Sequence, residues 1–142
     1  AGGNRGAVMI VPMLDADTMV LIREYAAGTH SYQLGFPKGL IDPGETALEA
    51  ANRELQEEAG FAARELTELH QVSMAPTFFN ASMTIVMARD LYPKTLEGDE
   101  PEPLEVINWP IAESDALLAR EDFVEARCIA ALFLAQKWLK EQ

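Results

Sequence analysis

The stretch from Gly39 to Phe61 leaves the chain few folding options. It reads Gly39-Leu40-Ile41-Asp42-Pro43-Gly44-Glu45, seven further residues, then Arg53-Glu54-Leu55-Gln56-Glu57-Glu58-Ala59-Gly60-Phe61. Thr46 is placed to cap a helix, and Glu49 three residues later completes a capping box. Gly60 stands where a helix end needs a left-handed residue. Ala47, Leu48, Ala51, Leu55 and Ala59 between them are good helix formers or core-facing residues. The spacing therefore predicts a helix over 46–59. It is entered through two tight turns, Phe36-Pro37-Lys38-Gly39 and Asp42-Pro43-Gly44-Glu45, set by their glycines and prolines.

Three carboxylates crowd the last turns of that helix. At about 100° per residue, Glu58 lies about 40° to one side of Glu54 and Glu57 about 60° to the other, beside an apolar stripe of Leu48, Leu55 and Ala59. A solvated acidic face is the plain reading of a Glu-rich helix. Here, however, acids near the C-terminus oppose the helix dipole at about 0.3–1 kcal/mol each. Glu54 and Glu58 also repel one another at i, i+4, and no Lys or Arg lies within the stripe. A divalent cation would relieve all three. Hard oxygen ligands suit Mg²⁺ or Mn²⁺, and Mg²⁺ takes one or two carboxylates together with phosphate oxygens of a substrate. Gly39 would let backbone come close to such an ion and expose a carbonyl. Arg53 is placed to hold the loop carboxylate of Glu45 and so pin the loop to the helix.

Gly39, Glu45, and Arg53-Glu54-Leu55-x-Glu57-Glu58-x-Gly60-Phe61 together resemble a complete Nudix box. Segments elsewhere, such as Arg5-Gly6-Ala7-Val8-Met9-Ile10-Val11-Pro12, Leu21-Ile22-Arg23-Glu24-Tyr25 and Ser73-Met74-Ala75-Pro76, are similar to the ADP-ribose diphosphatase branch of that family, as is the loop from Asp90 to Pro103. The resemblance covers nearly the whole chain. It implies an α/β/α sandwich with a mixed β-sheet and metal-dependent hydrolysis of a nucleoside diphosphate linked to another moiety. For the ADP-ribose branch, the products would be AMP and a phosphorylated remainder. Pro76 matches a proline that marks ADP-ribose-type members. Two departures point to a broader range of ADP-containing substrates. Ala26 stands where many relatives carry a second arginine, and Pro37-Lys38-Gly39 is closer to the approach found in dinucleoside polyphosphate hydrolases. Cleavage of diadenosine triphosphate or NADH, and a module that binds an ADP metabolite without cutting it, remain the alternatives.

Applied to these residues, the resemblance implies that Glu54 and Glu58 hold metal, with Glu57 as ligand or partner and a carbonyl of Lys38 or Gly39 completing the site. Glu57 and Arg53 are counted with the catalytic group, and Gly39, Glu45 and Gly60 with the structural positions of the motif. In ADP-ribose hydrolases a glutamate from the loop matching 93–103 positions or deprotonates the attacking water, which here means Glu100, with Glu102 second. Arg23 and Lys38 are expected to touch the diphosphate, and Tyr25 or Phe36 to stack on adenine. The family also implies a homodimer. Relatives carry an N-terminal strand region ahead of the point where this sequence starts, which is expected to be missing here.

Composition sets the outer bounds. A chain of 142 residues with 49% hydrophobic residues is expected to form a single domain over 1–142. Its net charge of −12 argues against nucleic acid as a partner. The same charge repels an anionic small-molecule substrate, so metal and a few local cations must compensate. A single cysteine, Cys128, rules out an internal disulfide and fits the reducing cytoplasm. No run of 18 apolar residues is present, so no membrane association is expected. There is no Gly-x-x-x-x-Gly-Lys-Ser/Thr loop. His30 and His70 are isolated, and Cys128 falls on a packed helix face. Periodicity predicts strands at 5–12, 18–25, 66–74, 82–90 and 104–109, short strands within 26–44, and helices at 111–119 and 121–140. The last helix is expected to bury Phe123, Ala126, Ala130, Phe133, Leu134 and Trp138.

Overall fold

Residues 8–12 are all buried, so the strand that carries them must be covered on both faces. In the computed structural model, which describes residues 6–98 and 104–142, this strand is β1, Ala7–Pro12. It lies between β4 (Lys38–Leu40) and β6 (Ser82–Pro93) in a four-stranded sheet of order β4-β1-β6-β5, where β5 is Phe61–Ser73. β1 runs parallel to β6, from Ala7 opposite Met83 to Pro12 opposite Ala88, and antiparallel to β4, with Val8 opposite Gly39. A second, antiparallel sheet has the order β3-β2-β7, made of Ser31–Gly35, Thr18–Ala26 and Glu105–Pro110.

Alternation along β1 and β2 divides the interior into two cores. Val8, Ile10, Val20 and Ile22 pack with Ala50, Ala51 and Leu55 of α1 (Ala47–Ala59). Met9, Val11, Met19 and Leu21 pack with Cys128, Ala131, Leu132 and Ala135 of α3 (Ala126–Lys140). This is the expected mixed sheet between helical layers. Between β7 and α3 lie a 3₁₀ turn, Ile111–Glu113, and the short α2, Ser114–Leu118.

Three expectations are corrected. β5 begins at Phe61 rather than at 66. The alanine-rich start reads poorly as strand, but it pairs with the end of β6, Ala62 opposite Tyr92, and Ala63 donates its N–H to Asn52 Oδ1 at 2.9 Å. α3 begins at Ala126 rather than at 121, because the Glu125 side chain caps it by accepting the Arg127 N–H. The face that α3 buries is also turned from the expected one. Cys128, Ala131, Leu132 and Ala135 are buried at i, i+3, i+4 and i+7, whereas Phe133 is 54% exposed. Small residues on the inner face let the helix sit close. Gly35 shows how close, since a β-carbon there would stand 3.0 Å from Cys128 Sγ.

Candidate active site

Both ends of α1 are fixed as the sequence predicts. Thr46 Oγ1 accepts the Glu49 N–H at 3.1 Å and Glu49 Oε1 accepts the Thr46 N–H at 2.9 Å. Gly60 closes the helix at φ 76°. Ala50, Ala51 and Leu55 pack into the core, and this turns the acidic residues of the helix toward β4. Glu54 and Glu58 are only 9% and 8% exposed. A β-carbon on Gly39 would land on the Glu54 carboxylate, so only glycine leaves space for it. Next to it, Lys38 donates its backbone N–H to Glu58 Oε1 at 3.2 Å. The three-residue β4 is thus the floor on which both carboxylates rest.

Burial pushes the Glu58 carboxyl up to about 9, against the Lys38 N–H bond that favours its charge, and the Glu54 and Glu24 charges add to the push. Burial likewise raises Glu54, although Arg53 works in the opposite direction. The two side chains are within hydrogen-bonding reach of each other. Two buried acids that can keep a proton between them form a site short of positive charge.

Arg53 organises the remaining carboxylates. Nε donates to Glu45 Oε2 at 2.8 Å, and Nη2 donates to Glu45 Oε1 at 2.9 Å and to the Leu40 carbonyl at 3.0 Å. Nη1 donates to Glu54 Oε1 at 2.8 Å and reaches Glu57 Oε2 at 3.5 Å. All five guanidinium donors are therefore used. Hydrogen bonding to Arg53 holds Glu45 below the usual carboxylate range, and Glu45 Oε1 also accepts the Asp42 N–H at 2.9 Å. The loop 41–45, the helix and two of its acids are tied through one side chain.

These groups line a cleft of about 630 Å³ that also takes in Ala7, Glu24, Lys38, Met83 and Arg127. Lys38 Nζ donates to Glu24 Oε1 at 3.2 Å. Burial works against the Lys38 ammonium, but Glu24, with Cys128 and Glu58, more than offsets it, so its pKa is raised and it stays charged. Among the described residues no group of three or more His, Cys, Asp or Glu is already gathered for a metal ion. Arg53 engages Glu57 and one oxygen of Glu54. The donor set still fits a divalent cation that prefers oxygen ligands. Two buried carboxylates with raised pKa values stand against backbone, and such an ion can take its remaining ligands from water and phosphate.

The NUDIX domain family model matches residues 3–132. The chain belongs to the Nudix family. It is 62% identical over 139 residues to the Escherichia coli (strain K12) protein named ADP compounds hydrolase NudE, covering 98% of this chain and 74% of that one. It is 30% identical to the Mus musculus ADP-sugar pyrophosphatase, over 96% of this chain and 69% of that protein. A crystal structure of an ADP compounds hydrolase superposes with a TM-score of 0.95 at 61% identity, covering 99% of this chain and 75% of that chain.

Around this Nudix box the structure sorts the residues expected from sequence. Glu54, Glu57, Glu58, Arg53, Lys38 and Gly39 come together in the cleft, and Glu45 joins them through Arg53. Arg53 has every donor engaged by Glu45, Glu54, Glu57 and the Leu40 carbonyl, which suits it to hold these groups in place. Phe36 is fully buried, in edge contact with Phe123, and cannot stack on a ligand. Arg23 and Tyr25 do not line the cleft. They alternate with Glu24 on β2 and face the other way, where Arg23 lies over the Tyr32 ring and Tyr25 meets the same ring edge-on. Glu100 and Glu102 lie outside the described residues. The segment leading to them is anchored on α1, with Leu96 N–H bonding the Gln56 carbonyl and Gly98 packed against Glu57. Pro76 sits in the turn between β5 and β6, away from the cleft lining. Sequence reasoning missed Glu24 and Arg127. Glu24 carried a usable signal, a charged residue closing an apolar strand run, but the continuous buried run before it hides which face it takes.

Proposed function

We propose that this Nudix protein hydrolyses the diphosphate bond of ADP-ribose and related ADP-X compounds, releasing AMP and a phosphorylated remainder. The observation that carries the reading is the buried Glu54–Glu58 pair resting on the backbone of Lys38 and Gly39 in an open cleft. The substrate class follows from the likeness to the ADP compounds hydrolase.

Glu54 and Glu58 would hold a divalent cation, Mg²⁺ or Mn²⁺, with a carbonyl of β4 and with Glu57 at the margin. When bound, the ion supplies charge to the diphosphate and lowers the pKa of a water. The chain's own residues provide position. Arg53 keeps Glu54 and Glu57 aimed into the cleft, and Gly39 keeps backbone clear of Glu54. Lys38 presents a persistent positive charge beside Glu24. Phosphoryl transfer needs little covalent help from protein, so holding reactants in line and neutralising charge supply most of the rate. Glu100, with Glu102 as second choice, remains our proposal for the group that orients the attacking water. The root of their loop at Glu57 supports it.

Incubation with Mg²⁺ and a panel of ADP-ribose, NADH and diadenosine triphosphate, with products identified, tests the reading. AMP from ADP-ribose is the expected result, and tight binding of the panel without any cleavage would leave a sensing module instead. We also propose a homodimer in the cytoplasm, on the family resemblance and the single cysteine. Among the described residues no helix is long and apolar enough to cross a membrane.

A further inference from the structure

Among the described residues three cationic side chains line the cleft, and they are not equally available. Arg53 has no donor to spare, as shown above. Lys38 has three donors and gives one to Glu24. Arg127, on the first turn of α3, is the third. Its Nε donates to Glu125 Oε1 at 2.6 Å, and its backbone N–H donates to Glu125 Oε2 at 2.7 Å. One carboxylate thus caps the helix and fixes the arginine. Among the described residues neither terminal nitrogen of Arg127 meets an acceptor, which leaves four N–H donors. Arg127, with Glu24 and Lys38, also lines a smaller cavity of about 210 Å³ between β2, β3 and α3, so it borders both spaces.

We infer that Arg127 is an anion anchor for the substrate, taking the phosphoryl oxygens of the diphosphate together with Lys38. The inference rests on the diphosphate reading above and adds to it the residue that fixes where the diphosphate lies. Among the described residues five carboxylates, Glu24, Asp42, Glu54, Glu57 and Glu58, line the same cleft. A polyanion therefore needs fixed positive charge there beyond any ion held by the acids. A guanidinium fork matches phosphate oxygens better than an ammonium does. Because Glu125 already orders Arg127, little rotamer entropy remains to be lost on binding. The pull on the anion comes from the side chain and not from the helix end, since Glu125 already caps α3.

The test compares wild type, Arg127→Gln and Arg127→Lys by calorimetric binding of ADP-ribose with Ca²⁺ and by turnover with Mg²⁺. Removing charge-assisted bonds to phosphate should raise Kd and KM about 10- to 100-fold. Arg127→Lys should fall in between, while the Mg²⁺ activation constant stays close to wild type and Tm falls by no more than the partly exposed Glu125 pair supplies, about 3 °C. Wild-type Kd and KM in Arg127→Gln would overturn the inference. So would an affinity loss that merely follows a fall in Tm, or that Arg127→Lys shares in full. If the wild type binds ADP-ribose but cleaves nothing, the hydrolase reading fails and the Kd comparison still decides the role of Arg127. No binding by the wild type would overturn both.

Discussion

Gly39→Ala is the smallest change that should dismantle the site. The added methyl group would occupy the place of the Glu54 carboxylate, so either the side chain or β4 must move. β4 is held by its ladder to β1, by the bond from Ile10 N–H to the Pro37 carbonyl and by the bond from Lys38 N–H to Glu58. At about 0.5–1.5 kcal/mol for each neutral bond and more for the charged one, displacing β4 costs more than swinging Glu54 away from Arg53, which loses one charge-assisted bond worth about 1.5–3 kcal/mol. The side chain should therefore yield. For a chain of this size a kcal/mol corresponds to roughly 3 °C, so Tm should fall by about 5–10 °C with the fold intact. Turnover of ADP-ribose should fall about 100-fold or more, because one of the two buried acids has left its partner. The thermal shift that Mg²⁺ produces in the wild type should shrink with it. A double-mutant cycle isolates the cause. In a Glu54→Ala background the steric conflict is gone, so Gly39→Ala should cost little further stability or activity. If Gly39→Ala alone retained wild-type turnover and Mg²⁺ response, or if its penalty persisted unchanged in the Glu54→Ala background, the close approach of Gly39 to Glu54 would not be what the site depends on.

Other perturbations probe neighbouring links. Glu58→Gln should lower kcat by about 1,000-fold, the scale of several kcal/mol of lost charge stabilisation, while circular dichroism stays native, and steady-state kinetics at saturating Mg²⁺ would show it. The metal-free protein should lose stability as pH rises. The folded Glu58 pKa of about 9 lies above its ordinary 4.5, so this group's contribution is complete below about pH 4.5 and is lost as pH climbs through about 9. Tm measured in EDTA across that window should decline, and less steeply in Glu58→Gln. Arg53→Lys keeps the charge but loses the fork that holds Glu45, Glu54 and Glu57 at once. It should cost about 1–3 kcal/mol in denaturant melts and raise the Mg²⁺ concentration needed for half-activity, and an unchanged Mg²⁺ requirement would argue against the positioning role.

The residues that were legible in the sequence are those whose neighbours lie within a few positions of them. Thr46, Glu49 and Gly60 define α1 through contacts within one turn, and the helix period then groups Glu54, Glu57 and Glu58 without knowledge of the rest of the fold. Glu45 and Arg53 are eight residues apart, about two helical turns, so their pairing could also be expected. The reading fails where a side chain's direction depends on a distant partner. β2 is buried on both faces from Met19 to Ile22, so nothing in its own pattern tells whether Arg23 or Glu24 turns toward the cleft, and pairing with β3 and β7 decides. Phe36 looked like an available aromatic beside the box, but Phe123, far along the chain, covers it. Arg127 was hidden among the residues of a helix whose start was placed five residues early, and whose buried face follows from the close approach of Cys128 to Gly35.

The parallel pairing of β1 with β6 has a consequence for how the molecule comes into being. Ala7 and Met83 are opposite one another in that ladder, and both line the cleft. Closing so long a loop is a slow event in folding, because its entropy is lost before any contact is gained. The box helix, by contrast, can form early from contacts within itself. A chain leaving the ribosome would therefore carry its three acids for some time with no wall opposite them. Only when β6 has been synthesised and has docked beside β1 does the cleft exist, so the box by itself should be chemically silent, and competence should arrive late and all at once.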